Sequence, residues 1–393
     1  MAGPLDGVTI LDLSTVIAGP MATSLLGDQG ADVIKVETLG QGDVARYLGP
    51  MSGGISAMFA TTNRNKRSIA IDLKDARGHA IVVDLARRAD VVIQNFRPGA
   101  AKRLGLGYED VRVLKSDIIY VSLSGFGQTG PYALRRVYDP VIQAISGFAE
   151  AQGDAKGNPA LVQAIVCDKV TALTAAQAIT AALLARKNGA GGQHVSLTML
   201  DATLQFLWSD AFYNHTFLGG GATAAPDLAS FYGVYRTKDG HVTIITLSDV
   251  EFKGLTRALG ATALADDPRT QSVASRVKNA TEIRAMVEPL VAAFTTQELS
   301  ARLEAEDVPY AKVNRRSEIA TDPQVVHCGT LVETQHPKAG PMREPRPAAQ
   351  FSATPAALKR PAPMLGEHTG EILAAIGRSP AEIEQLRSAK VVG

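Results

Sequence analysis

Cysteine is scarce in this chain: 393 residues hold two, Cys167 and Cys328. They form no CxxC pair and no metal-ligand spacing, which removes a disulfide framework and a zinc site and leaves a reducing, cytoplasmic setting as the expectation. The seven histidines are scattered, with no HxxxH or HExxH, so no metal is expected. Long apolar runs are missing too. The longest mild one, Leu173–Ala185, is Ala-rich, carries Thr174, Gln177 and Thr180, and is too short to span a bilayer. The first residues, Met-Ala-Gly-Pro-Leu-Asp-Gly, lack the basic-then-apolar order of a signal peptide. A net charge of +1 supplies no overall field for nucleic acid or an anionic membrane, so neither is expected as a partner.

What is present is alternation. Val8–Leu13, Asp32–Glu37, Ser68–Asp72, Asp90–Gln94 and Asp117–Leu123 read as strands. Met21–Gln29, Ala76–Arg88 and the stretch near Gly99–Leu104 read as the helices between them. That order predicts an α/β fold with a parallel, doubly wound sheet. A long Ala-rich helix, Val170–Arg186, stops at Lys187–Gly192 and is followed by a strand His194–Met199 and a helix Ala202–Phe217. The large α/β domain is expected over 1–189, with strand, helix and linker over 190–228. A small α+β domain is expected over 229–316, built on a hairpin (Tyr232–Thr237 and His241–Leu247) turning at Lys238-Asp239-Gly240. Residues 317–363 are rich in proline and read as an extended linker. Helices Thr369–Ile376 and Pro380–Ser388, within 364–393, close the chain.

Four features bear on chemistry. Asp168 falls at the start of the Ala-rich helix, where free amides and the dipole favour an ionised carboxylate, a usable nucleophile; the plain alternative is an N-cap. Asp139, after Arg135-Arg136 and Tyr138, is a second carboxylate that could serve Asp168 as an electrostatic or acid–base partner. Arg64, Lys66, Arg67 and Lys74, with Arg97, Lys102 and Arg103, stand near strand ends and suit a polyanionic nucleotide or, equally, a solvated surface. Gly219-Gly220-Gly221 suits a mobile lid or a plain linker. The first strand–helix–strand unit ends in Glu37, the outline of a ribose-binding acid, but its turn, Ser14–Pro20, lacks the GxGxxG fingerprint, which disfavours a nicotinamide or flavin enzyme.

Taken together, the segments resemble one family along nearly the whole chain. They are Leu11–Leu13 with Ala18-Gly19-Pro20; Gly30–Glu37 with Gly42-Asp43 and Arg46; Asn63–Ser68 with Asp72-Leu73-Lys74; and Asn95–Gly99 with Arg103–Leu106. Ser124–Gly127, Gly130-Pro131-Tyr132, Gly192-Gln193 and Ala362-Pro363 with Leu365–Thr369 complete the set. The chain resembles the class III coenzyme A-transferases, the CaiB/BaiF family. The resemblance implies a Rossmann-like large domain, a small α+β domain and an intertwined, interlocked homodimer. It implies that coenzyme A moves from an acyl-CoA thioester to a carboxylic acid through an aspartyl anhydride and an aspartyl-CoA thioester on Asp168, with Cys167 where a glycine is common. Coenzyme A is then a substrate, and no cofactor is tightly bound.

By the same resemblance Asp139 assists Asp168, and Gly219 and Gly220 belong to a flap that keeps water from the anhydride. Lys74, Asn95, Arg97, Arg103 and Arg136 contact the coenzyme. Racemases of 2-methylacyl-CoA share the fold but place histidine where Tyr138 stands. Tyrosine, with an ordinary pKa of about 10, is a poor base, so transfer is favoured over proton abstraction. A catalytically silent coenzyme A-binding protein is the more distant alternative.

Overall fold

Six short segments rich in Val, Ile and Leu pair side by side, all parallel: β1 Thr9–Asp12, β2 Asp32–Thr38, β3 Lys66–Ile71, β4 Val91–Gln94, β5 Ile119–Ser124 and β6 Gln193–Thr198, in the order β3-β2-β1-β4-β5-β6. Parallel neighbours need crossovers, and helices supply most of them. The computed structural model describes residues 2–154, 156–219, 223–226 and 233–393. On one face of the sheet, α1 (Ala18–Asp28) and the long Ala-rich helix (Val166–Ala185) bring Ala22, Leu26, Ala172, Ala175 and Ile179 against Ile10, Val33, Ile93 and Val121. The alanines let that helix lie close to α1. On the other face, Ala76–Arg88 and the two C-terminal helices bring Ile81, Leu85, Ile372, Leu373 and Ile383 against Leu11, Ile34, Ile69 and Val92. Each such side chain, fully buried, contributes about 1.5–3 kcal/mol, and the strands are apolar on both sides because both faces are covered.

The alternation therefore predicts the parallel sheet correctly, and Ala76–Arg88 and Pro380–Ser388 fall at the expected bounds. Other elements differ. The Ala-rich helix starts at Val166, four residues before the expected Val170, and the helix expected over Ala202–Phe217 runs from Met199 to Leu207. The strand expected over His194–Met199 runs from Gln193 to Thr198 and is the sixth strand of the sheet. The proline-rich stretch has secondary structure of its own: Leu331–His336 and Gly340–Pro345 pair as a hairpin. That hairpin's Ala339 and Met342 pack with Met364 and Ala362 against Ala45, Ile55 and Phe59. The chain's last residues return to β3: Val392 bridges Ile71, the Asp72 N–H donates to Val391 O and the Gly393 N–H to Ala70 O.

Compact packing divides the chain into residues 1–206 with 324–393 and residues 207–323. The smaller unit has a three-stranded antiparallel sheet. Val234–Arg236 and His241–Ile244 flank the Lys238-Asp239-Gly240 turn, and Tyr310–Lys312 pairs beside them. Its helices Asp249–Ala258 and Thr296–Ala305 begin at capping boxes, Ser248 with Glu251 and Thr295 with Glu298, each satisfying two free amides. Val242, Phe252, Leu255, Val287, Leu299 and Leu303 form its core. Among the described residues no helix is long and apolar enough to cross a membrane.

Candidate active site

Strand order reverses between β1 and β4, and in open α/β sheets the crevice at such a point, beyond the C-terminal strand ends, is where ligands bind. A cavity of about 340 Å³ lies there. Thr15 and Val16 after β1, Asn95, Phe96 and Arg97 after β4, and Gly125 and Phe126 after β5 line it, together with Arg135, Arg136, Tyr138 and Asp168. Arg97, Arg135 and Arg136 are exposed, and Asp168 is partly buried. The lining thus joins one carboxylate to three guanidinium groups, an arrangement that can hold an anionic ligand against a potential nucleophile.

Asp168 is the third residue of the Val166–Ala185 helix, not its cap; the cap position is Ile165, whose side chain makes no capping bond. The helix end favours the ionised carboxylate, but it is not the strongest influence on Asp168. Burial, and after it the negative charge of Asp139, push the Asp168 pKa up to about 6, against the lowering effect of a hydrogen bond from the Ala18 backbone N–H. Desolvation and a like charge outweigh the helix end. The carboxylate is still mostly ionised at neutral pH, and its raised pKa makes it more basic than an ordinary aspartate. Burial pushes the neighbouring Cys167 thiol up to about 11, so it is no competing thiolate.

Asp139 is buried, and its carboxylate reaches the backbone of Asp168 (the Asp168 N–H donates to Asp139 Oδ2 at 3.0 Å). Asp139 Oδ1 accepts from Gln143 Nε2 at 2.6 Å, and Gln143 Oε1 accepts the Val162 N–H at 2.9 Å. The pair ties the approach to the helix and fixes where Asp168 begins.

A group of buried charges joins β1, β2 and β3 beside the turn that follows β1. Lys66 Nζ meets Asp12 Oδ2 at 2.9 Å and Lys35 Nζ meets Asp43 Oδ2 at 2.9 Å, all four side chains fully buried. Glu37 pairs with Arg46 at 2.6 Å and accepts from Ser68 Oγ at 2.7 Å. Burial alone would raise the Asp12 pKa, but Lys66 and Lys35 hold it well below the usual carboxylate range. These bonds settle two expectations. Glu37 is engaged internally and is not free for a ribose. Of the basic cluster, Lys66 is sealed in, Arg64 pairs with Asp28, and Arg67 pairs with Asp32 and Glu371, so these three form neither a nucleotide patch nor a solvated one.

Of the residues expected to contact coenzyme, Asn95, Arg97 and Arg136 share the cavity with Asp168, whereas Lys74 and Arg103 are exposed and outside its lining. Arg103 folds back on Gly99, its Nη1 lying 3.1 Å from where a Cβ would sit, next to the lining residue Pro98. Gly219 belongs to the smaller unit and is exposed, and Gly220 lies outside the described residues. A GxGxxG pattern does occur at Gly125–Gly130 after β5, but no helix opens on it: the next begins at Asp139. It therefore lacks the helix N-terminus that a dinucleotide site needs. Sequence reasoning passed over Arg135 as a lining residue and Asp43 as the buried partner of Lys35; Arg135 also lies over the Tyr132 ring at 3.8 Å, a favourable cation–π contact. Among the described residues no group of His, Cys, Asp and Glu is placed to hold a metal.

Comparison with known proteins agrees with this geometry. The sequence model described as CoA-transferase family III matches residues 5–369. A human succinyl-CoA:glutarate CoA-transferase is 35% identical over 99% of this chain and 90% of its own length. A succinate–glutarate CoA-transferase from Agrobacterium fabrum is 36% identical over 94% of this chain and 95% of its own. The crystal structure of a CaiB/BaiF family protein from Brucella suis superposes with a TM-score of 0.84 at 31% identity, covering 96% of this chain and all (100%) of that one. With the family match spanning the sheet and the cavity, the chain belongs to CoA-transferase family III, the CaiB/BaiF family.

Proposed function

We propose that this protein transfers coenzyme A from an acyl-CoA thioester to a carboxylic acid, with Asp168 as the nucleophile. The observation that carries this is the partly buried Asp168 carboxylate in a cavity lined by Arg97, Arg135 and Arg136 at the strand-order switch. The Asp168 carboxylate attacks the thioester carbonyl and expels the coenzyme A thiolate, leaving a mixed anhydride. The thiolate then attacks the aspartyl carbonyl, which releases the donor acid and leaves an aspartyl-CoA thioester. The acceptor carboxylate attacks that thioester, forming a second anhydride and freeing the thiolate again. Attack on the acceptor carbonyl gives the new thioester and restores Asp168. One thioester replaces another, so little net driving force is needed.

Arg97, Arg136 and Asn95 are the coenzyme-facing residues within the cavity, and Lys74 and Arg103 are assigned to the coenzyme by family resemblance. Three guanidinium groups around one carboxylate favour anionic substrates. Since the human and Agrobacterium relatives are named for succinyl-CoA or succinate and for glutarate, four- and five-carbon dicarboxylates are the first pair to test. An interlocked homodimer and a cytoplasmic location belong to the same reading.

The test is transfer from succinyl-CoA to glutarate, read by mass spectrometry, with hydroxylamine added to trap an acyl-aspartate. Asp168→Ala is expected to abolish transfer and trapping while calorimetry still detects thioester binding. Turnover retained by that variant, or no donor-dependent hydroxamate at Asp168 in the parent, would refute the nucleophile.

A further inference from the structure

The turn from β1 into α1 is unusual in how its backbone is held. Val16 has φ 72°, a left-handed conformation that a β-branched residue adopts only under strain. Side chains from β1, β2 and the segments that follow β2 and β4 bind successive backbone groups of this turn. Asp12 Oδ1 accepts the Ser14 N–H at 2.9 Å, and Lys35 Nζ donates to Ser14 O at 2.8 Å. Asn95 takes both polar groups of Thr15, accepting its N–H at 2.9 Å and donating to its carbonyl at 2.8 Å. Asp43 accepts the Val16 N–H with both oxygens, at 3.0 and 3.2 Å, while paired with Lys35. The turn also lies flat on the start of α1: a Cβ on Gly19 would fall 2.2 Å from Ser14 Oγ. Movement of the turn therefore moves Ala18, which lines the cavity together with Asp168 and whose backbone N–H favours the ionised carboxylate.

We propose that Asp43, backed by Lys35 and assisted by Asn95, is a positioning residue that keeps Val16 left-handed so that the Ala18 amide meets the Asp168 carboxylate. Asp43 is buried and is not part of the cavity lining. Strained backbone persists only where its surroundings over-determine it, and it concentrates at functional sites. The proposal deepens the reading of Asp168 as nucleophile and rests on it. A nucleophile needs one fixed direction of attack, and a fixed amide beside the carboxylate supplies it. Asn95, one of the coenzyme-facing residues of the cavity, has both ends of its amide engaged by Thr15, so it also braces the turn.

The test uses two readouts on the full chain. The first is substrate-free carbodiimide labelling of Asp168 across pH, quantified by peptide mass spectrometry; the second is kcat and KM for the donor thioester. The groups near Asp168 are Asp139 from the Asp139–Ile145 helix, the adjacent Cys167, and the lining residues Arg97, Arg135, Arg136 and Tyr138; all are unchanged in the variants. Asp43→Asn is expected to shift the labelling curve upward by about one pH unit, because the carboxylate loses a donor that favours its charged form. It should lower kcat at least tenfold with KM within twofold. Adding Val16→Gly should reverse much of both effects, since glycine takes positive φ without strain. Asn95→Leu, which removes no buried charge, should shift the curve the same way and keeps the test available where Asp43→Asn folds poorly. An unmoved labelling curve in the folded variants, or failure of Val16→Gly to restore it, overturns the proposal. A shifted curve with unchanged kcat supports the positioning and instead removes Asp168 from the chemistry.

Discussion

Replacing Asp168 with asparagine should stabilise the protein at alkaline pH, and the gain should shrink as pH falls. The Asp168 carboxyl titrates at 3.8 in its ordinary state and at about 6 in the folded protein. At about 1.36 kcal/mol per pH unit, that rise amounts to about 3 kcal/mol against the ionised form. The sign follows from proton linkage. The folded state holds the proton more tightly than the unfolded one, so Asp168 costs nothing below pH 3.8, costs progressively more between 3.8 and 6, and carries its full cost above 6. Asparagine has no charge to desolvate and no repulsion from Asp139. The variant's advantage over the parent should therefore be larger at pH 8 than at pH 5, by about 1.4 kcal/mol. Any pH-independent effect of the substitution cancels in this difference. The assay is guanidinium unfolding followed by far-UV circular dichroism at both pH values. An advantage that stays constant or declines from pH 5 to pH 8 would show that Asp168 is not held at an elevated pKa, and the electrostatic account of the site would fail.

Two further outcomes follow from the same charges. Asp139→Asn keeps an acceptor for the Asp168 N–H but removes the repulsion, so the acidic limb of the pH–rate profile should move down by about one unit; an unmoved limb would mean that burial alone raises Asp168. Lys66→Met leaves the buried Asp12 with only Lys35 nearby and should cost about 3–5 kcal/mol in denaturant unfolding, while the double variant with Asp12→Asn should recover most of it. A single variant as stable as the parent would show that the buried pair does not matter to the fold.

How much of this was legible in the sequence depends on whether the signal was local. Ala76–Arg88 and Pro380–Ser388 were read at their true ends because Asp75, Ser379 and Glu382 supply caps in the sequence itself. The start of the Val166–Ala185 helix was not, because Ile165 makes no side-chain cap and Ile165-Val166-Cys167 resembles a strand. The helix from Met199 was extended too far because Trp208 and Phe212 carry the apolar pattern past Leu207; the two rings stack on each other instead. Prolines at 341 and 345 suggested a linker, yet each sits in a two-stranded hairpin, where an edge position tolerates a missing N–H. Asp168 and three cavity residues were found through motifs. The buried lysines were not, because Lys35 and Lys66 acquire their meaning from Asp43 and Asp12, which only the folded sheet brings near.

The return of residues 391–393 to β3 has a consequence for biosynthesis. The sheet of the large unit starts with β1 at Thr9, but its outer strand β3 is not covered until residues 391–393 have been made. The smaller unit, contiguous between 207 and 323, has its whole sequence available well before then. During translation the sheet edge near Ile71 therefore stays open until residues 391–393 have been made and can bond to it.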